Sequence, residues 1–116
     1  MAAGSKLIQK KGIPNPLCES YQQAAVLPRD VEDNNSIGLL ITSGKFRMLD
    51  LADLEAHHSR DLVCPANLIG HVDVYNVNVH GQFKGIAPEL VGALEALVII
   101  QANGPRKGRM HSHGRC

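Results

Sequence analysis

Two side chains combine metal-binding chemistry with a position at the end of an apolar run. Asp53 follows the run 46–51, and His80 ends the valine-rich run 72–79. In α/β proteins, sites form at the carboxyl ends of strands, and carboxylate and imidazole both bind divalent metals. From spacing alone, simpler roles are favoured: an acid that starts a helix, and a half-buried histidine with one hydrogen bond. One Asp and one His make no metal site without further ligands.

The other internal histidines and the cysteines give weaker indications. His57 and His58 are adjacent on a predicted helix, so they point about 100° apart and cannot easily hold one ion. His71 begins a predicted strand and belongs to no pattern. The cysteines are odd in number and far apart in the sequence, which argues against a disulfide framework; they are Cys18, Cys64 and Cys116.

The segment 105–116 is basic and rich in histidine, and we expect a mobile tail because it has no apolar anchor. Its side chains that suit zinc or nickel are His111, His113 and Cys116. A mobile segment loses conformational entropy on binding, so we expect no specific metal function there. Its side chains that could contact phosphate are Arg106, Lys107 and Arg109. No aromatic stacking residues accompany them, so nucleic-acid binding is only a minor alternative.

Composition indicates one small globular domain. The 116 residues are 44% hydrophobic, 20% charged and 3% aromatic with no Trp, which predicts an aliphatic core. A net charge of +1 creates no strong field, so charge predicts neither nucleic-acid nor membrane binding. No long apolar run and no signal peptide are evident, so we expect no membrane segment and, by default, a cytoplasmic location.

The elements that must position Asp53 and His80 alternate between strand and helix. Residues 1–35 are expected to be an irregular arm and 36–104 the folded domain. Strands at 37–41 and 46–51 flank a turn and predict a β-hairpin. A helix over 53–63, a strand over 72–79, a loop over 81–87, a helix opening at Pro88 and a strand over 98–100 follow. The second helix should pack through Leu90, Ala93, Leu94 and Leu97. This order predicts an α/β layer.

Several stretches are more specific in their order and spacing than any one is alone. They are GIPNPLC (12–18), NSIG (35–38), GKFRMLDLADL (44–54), LVCPANLIG (62–70), VDVY (72–75), VHG (79–81), PELVGALEAL (88–97) and NGPRKG (103–108). Together they resemble the carboxy-terminal half of the metallo-β-lactamase-fold (MBL) hydrolases, most closely the competence-protein (ComEC-like) branch of bacterial members.

The resemblance implies a fold, a cofactor and two site residues. The fold would be about half of an αβ/βα sandwich. In that family two zinc ions, or similar metals, activate water to attack an ester, amide or phosphodiester. Asp53 matches the bridging carboxylate of the family's "GDL" motif, and His80 matches the second histidine of its "HHG" motif.

The chain departs from the family at the positions that matter most for metal binding. The upstream HxHxDH motif is absent, since HSHG at 111–114 lacks the following Asp-His. Ala52 replaces the glycine before the bridging Asp, Val79 replaces the first histidine of the pair, and Ala87 precedes Pro88 where a Ser or Thr cap is usual. A catalytic zinc usually needs three protein ligands, and this chain supplies two at matching positions.

We therefore predict a fragment or degenerate member of the family without independent catalysis. Two alternatives remain open at this point. One is an active zinc hydrolase completed by a second chain that carries the missing amino-terminal half. The other is a non-enzymatic interaction module that forms a homo-oligomer through an exposed sheet face.

Overall fold

The computed structural model describes residues 2–3, 6–7, 12–19 and 35–104. Its helices are α1 (Ala56–Arg60) and α2 (Pro88–Leu94). Its strands are β1 (Ala2–Ala3), β2 (Lys6–Leu7), β3 (Ile13–Pro14), β4 (Ile37–Ser43), β5 (Phe46–Asp50), β6 (Ala66–Asn67), β7 (Val74–Asn76) and β8 (Val98–Ile100).

Six of the strands form one mixed sheet in the order β2-β1-β4-β5-β7-β8. β4 and β5 form the predicted antiparallel hairpin, whereas β5, β7 and β8 run parallel to one another. Parallel neighbours need crossover connections, and α1 and α2 lie in the connections β5-to-β7 and β7-to-β8. The predicted α/β class is therefore confirmed.

The hydrophobic core lies on the face of the sheet that the two crossovers cover. Leu49 of β5 and Tyr75 of β7 are register partners, and both are fully buried in one cluster with Leu90 and Leu94 of α2. The remaining members come from the connections, chiefly Leu51, Leu54, Leu62, Val63, Ile69 and Val72. Most of these side chains are aliphatic, in agreement with the low aromatic content of the chain.

The elements around the candidate residues are shorter than the sequence predicts. Helix α1 begins only at Ala56, so Asp53 lies in the loop before it and not in a first helical turn. The strand expected over 72–79 ends at Asn76, and residues 78–81 form a tight turn. Helix α2 ends at Leu94 with Glu95 in a left-handed conformation, which leaves Leu97 outside the helix and 82% exposed.

The segment expected to be an irregular arm contains paired strands. β1 pairs with β4, and β3 pairs antiparallel with β6 through Ile13 and Asn67. The side chain of Asn15 donates a hydrogen bond to the carbonyl of Val63 at 2.9 Å. Residues 12–19 are thus held against the connection that follows α1.

A disulfide joins Cys18 to Cys64, so the expectation that these cysteines do not pair is wrong. The two are 46 positions apart, but the pairing of β3 with β6 brings their Cα atoms to 5.7 Å. Sequence spacing did not reveal the bond because the distance was set by a long-range strand pair. Cys116 lies outside the described residues.

Both helices are short. Within the part of the chain that the structure describes, no helix is long and apolar enough to cross a membrane.

Candidate functional site

The three parallel strands end at the same edge of the sheet. Asp50, Asn76 and Ile100 are their last residues, and the register pairs Asp50 with Asn76 and Asn76 with Ile100. The segments that follow, 51–54, 77–81 and 101–103, therefore meet at this carboxyl edge, which is where α/β proteins place binding sites.

The structure brings the two candidate ligands together at this edge. The Nε2 atom of His80 lies 3.8 Å from Oδ1 of Asp53. Both side chains are about half exposed, at 56% and 53%. A ligand could therefore reach the pair from solvent.

Contacts from the segment after β8 determine the orientation of His80. Its Nδ1 lies 2.9 Å from the carbonyl oxygen of Ala102. A carbonyl only accepts, so this hydrogen bond requires the proton on Nδ1. The carbonyl of His80 in turn accepts hydrogen bonds from the side chains of Gln101 at 3.2 Å and Asn103 at 2.9 Å. Both the ring and the backbone of His80 are thus held.

This tautomer determines what the pair can bind. In a neutral His80 with the proton on Nδ1, the bare Nε2 lone pair lies on the side of the Asp53 carboxylate. Both groups are then acceptors, and 3.8 Å is too long for a hydrogen bond between them. A cation between them, either a proton on Nε2 or a metal ion, makes the contact attractive. A backbone hydrogen bond to the other ring nitrogen is the usual support of a metal-binding histidine.

A buried network joins the loop of Asp53 to the turn of His80. Asn78 is fully buried; its amide donates to the carbonyl of Leu54 at 2.8 Å, and its oxygen accepts from the Tyr75 hydroxyl at 2.6 Å. The backbone N–H of Val79 donates to the carbonyl of Ala52 at 3.0 Å. Burial raises the pKa of Tyr75 to about 12, so its hydroxyl remains a donor at neutral pH. The pair depends on these bonds for its spacing.

Three residues at the candidate site adopt left-handed backbone conformations, which are unfavourable for any residue with a Cβ atom. The φ angles are 51° at Ala52, 49° at Val79 and 55° at His80. This conformation costs roughly 1–2 kcal/mol for a residue with a Cβ, and it is a rare outlier for β-branched Val. Such residues concentrate at functional sites. Ala52 thus takes the conformation that glycine, the residue expected from the resemblance, adopts without strain.

A second polar pair, Asp50 and Asn76, lies at the ends of strands β5 and β7 and was not predicted from the sequence. Oδ2 of Asp50 accepts a hydrogen bond from the side chain of Asn76 at 2.9 Å, and Oδ1 accepts from the backbone N–H of Ala52 at 2.9 Å. The signal in the sequence is weak, because the two are simply polar residues inside the predicted strands 46–51 and 72–79. Asp50 is engaged by these bonds and orients the start of the Asp53 loop.

The other predicted histidines lie in separate contacts. The His57 and His58 rings contact each other at 4.3 Å on α1, with His58 buried beside Asp61. His71 pairs with Glu95 at 3.2 Å, and both are well exposed. His111, His113, Cys116, Arg106, Lys107 and Arg109 lie outside the described residues.

The donors at the edge do not fit a complete catalytic zinc centre. Among residues 12–19 and 35–104, no group of three or more His, Cys, Asp or Glu side chains is arranged to hold a metal ion. A catalytic zinc usually takes three protein ligands, and the facing pair offers one imidazole and one carboxylate, while the nearby Asp50 carboxylate already accepts two hydrogen bonds. The arrangement suits a weakly held cation.

The chain matches no protein-family model, no curated protein and no solved structure.

Proposed function

We propose that this chain is a degenerate member or fragment of the MBL-fold metal-dependent hydrolases, one that keeps two ligands of the ancestral metal site and has no catalysis of its own. The supporting observation is the contact between Asp53 and His80, the two residues that the resemblance assigns to metal. They follow different strands, yet their side chains approach to 3.8 Å, and the His80 nitrogen that faces Asp53 is the one that does not bond Ala102.

A site with only two protein ligands can bind a metal ion weakly and cannot hold it for catalysis. Zinc held by one imidazole and one carboxylate leaves its other positions to solvent, so binding is weak and competes poorly with other chelators. A hydrolase needs a metal held in a fixed geometry next to its substrate. The residues of this edge do not supply that geometry, so the proposal assigns them cation binding and no reaction.

A hydrolase completed by a second chain is the alternative. The half exposure of both side chains favours it, because another polypeptide could reach the edge and add ligands. Ester or phosphodiester substrates for such a complex follow only from the resemblance.

The disulfide affects the proposed location. A bond between Cys18 and Cys64 persists in oxidising compartments and is rare in the cytosol. The default cytoplasmic location rests on the lack of a recognisable signal alone. We therefore favour an oxidising compartment.

Zinc and manganese binding to the purified protein tests the proposal. Titration calorimetry and metal content after dialysis should be compared for the parent, Asp53→Ala and His80→Ala, all in a background carrying His111→Ala and His113→Ala to remove the tail histidines. The matched controls are His71→Ala and Glu95→Gln. That pair is another exposed histidine and carboxylate, with a shorter separation of 3.2 Å, but it lies outside the carboxyl edge.

We expect weak binding of a single ion per chain, abolished by either edge substitution and unchanged by either control. Equal loss in the His71→Ala control would show generic surface binding and contradict the retained site, as would no binding at all. Two tightly held ions together with hydrolysis of a phosphodiester or ester would contradict the degenerate assignment. A hydrolytic activity that appears only with a second chain would support the alternative.

A further inference from the structure

One face of the sheet carries an apolar row that no helix among the described residues covers. Residues directly opposite each other on paired strands project from the same face. The register places Ile41 opposite Met48, Met48 opposite Val74, and Val74 opposite Val98. These four side chains form a row across β4, β5, β7 and β8. The row lies on the face opposite Leu49 and Tyr75, which project into the core.

The adjacent row on the same face extends this surface and carries little charge. This second row lies at the carboxyl edge of the parallel strands and consists of Leu39, Asp50, Asn76 and Ile100. Its single charged group, the Asp50 carboxylate, already accepts two hydrogen bonds. We call this surface the open face; its large apolar side chains are Ile37, Leu39, Ile41, Phe46, Val98 and Ile100, each between 43% and 61% exposed, together with the partly buried Met48 and Val74.

Both the type of sheet and the size of the open face indicate that another protein layer packs against this face. All-parallel sheets are almost always covered on both faces, and among the described residues the crossovers cover only one face of the parallel part of this mixed sheet, β5-β7-β8. Six large apolar side chains that are half exposed leave roughly 600 Å² of apolar surface, at the upper end of the largest patch on a typical monomer. Two such faces together would bury about 1,200 Å², above the ~1,000 Å² expected of a specific interface.

We propose that the open face binds a second copy of this chain. A two-fold pairing sets the aliphatic row of one copy against that of the other, with the sheets about 10 Å apart and the helices outside. Charge opposes the pairing little, because Asp50 is the only charged side chain on the two rows, its carboxylate already accepts two hydrogen bonds, and the net charge of the chain is +1. This inference does not depend on metal binding at the edge.

Sedimentation velocity across about 1–100 μM protein tests the proposal, a range that spans weak to moderate dimer affinities. All variants should carry Cys116→Ser, so that the third cysteine cannot link two chains covalently. Ile41→Lys places a charge from each copy within the proposed interface, at the β4 end of the aliphatic row. Phe83→Lys is the matched control, because Phe83 is a large apolar residue that is even more exposed, at 83%, but lies outside the open face.

We expect the parent to shift with concentration from its 12.5 kDa monomer mass to twice that value. Ile41→Lys should weaken association by about 100-fold or more, since a two-fold interface doubles the effect of each substitution. Phe83→Lys should associate like the parent. Val98→Lys, at the other end of the row, should reproduce the loss, and circular dichroism confirms that each variant is folded.

A parent that remains monomeric throughout the range would overturn the proposal and leave a different polypeptide as the cover. A dimer that survives both Ile41→Lys and Val98→Lys would also overturn it, because association would then use another surface.

Discussion

The hydroxyl of Tyr75 donates a 2.6 Å hydrogen bond to the side-chain oxygen of Asn78, and both residues are fully buried. Asn78 also donates to Leu54, so one side chain connects strand β7 with the loop that carries Asp53. Asn78 therefore helps to position the candidate site through its bonds to Tyr75 and Leu54.

Asn78→Ala should destabilise the fold by about 2–4 kcal/mol, because it leaves the Tyr75 hydroxyl and the Leu54 carbonyl buried without their partner. Tyr75→Phe removes one donor only and should cost about 1–2 kcal/mol. Urea denaturation followed by circular dichroism measures both, with the exposed Gln82→Ala as the control. Equal stability of Asn78→Ala and the control would disprove the role of this network.

Ala52→Gly should leave stability unchanged or raise it by about 1 kcal/mol, because glycine adopts the left-handed φ of 51° without steric cost. The comparison is Ala56→Gly in α1, where the same change should cost about 0.5–1 kcal/mol. Thermal unfolding of both variants separates the two cases. If both lose stability alike, Ala52 is not strained.

Stability should fall as pH drops below the ordinary histidine range, in part because of His58. Burial, with a smaller contribution from nearby His57, lowers the pKa of His58, despite the opposing effects of Asp61 and Glu55. The unfolded state then binds a proton near pH 6.5 while the folded state resists it, so this contribution is complete above that pH and is lost below it.

Free energies of unfolding at pH 5.5, 6.5 and 7.5 test this expectation, and His58→Gln should flatten the dependence. NMR titration of the ring protons gives the His58 pKa directly. A dependence that is the same in His58→Gln and the parent would assign it to other groups.

Reduction of the Cys18–Cys64 disulfide should lower stability by about 2–4 kcal/mol, because the bond closes a loop spanning 46 positions and restricts the unfolded chain. Residues 12–19 should also become sensitive to protease, although the Asn15 hydrogen bonds remain. Denaturation of the protein with and without reductant measures the loss. The double variant Cys18→Ala/Cys64→Ala should match the reduced protein, and equal midpoints in all three forms would contradict the prediction.

Structural elements that depend on a local pattern of apolar residues could be predicted from the sequence. Two apolar runs on either side of the turn at 43–45 predicted the hairpin, and the order of strands and helices predicted the α/β class. From spacing alone, separate simpler roles were favoured for Asp53 and His80, and only the resemblance assigned both to a metal site. A distance between two loops depends on how strands β5 and β7 pair, which is not a local property.

The sequence by itself determined the β4–β5 hairpin and the alternation of strands with helices that follows it, because hydrophobic periodicity and turn residues act over a few positions. Only the tertiary structure decided the Cys18–Cys64 bond, the turn at 78–81, the Asn78 network and the uncovered face of the sheet. Each of these arises from contacts between segments distant in sequence, such as Ile13 with Asn67 or Asn78 with Leu54. The energies of these contacts depend on burial and on strand register. Neither burial nor register can be inferred from residues that are adjacent in the sequence.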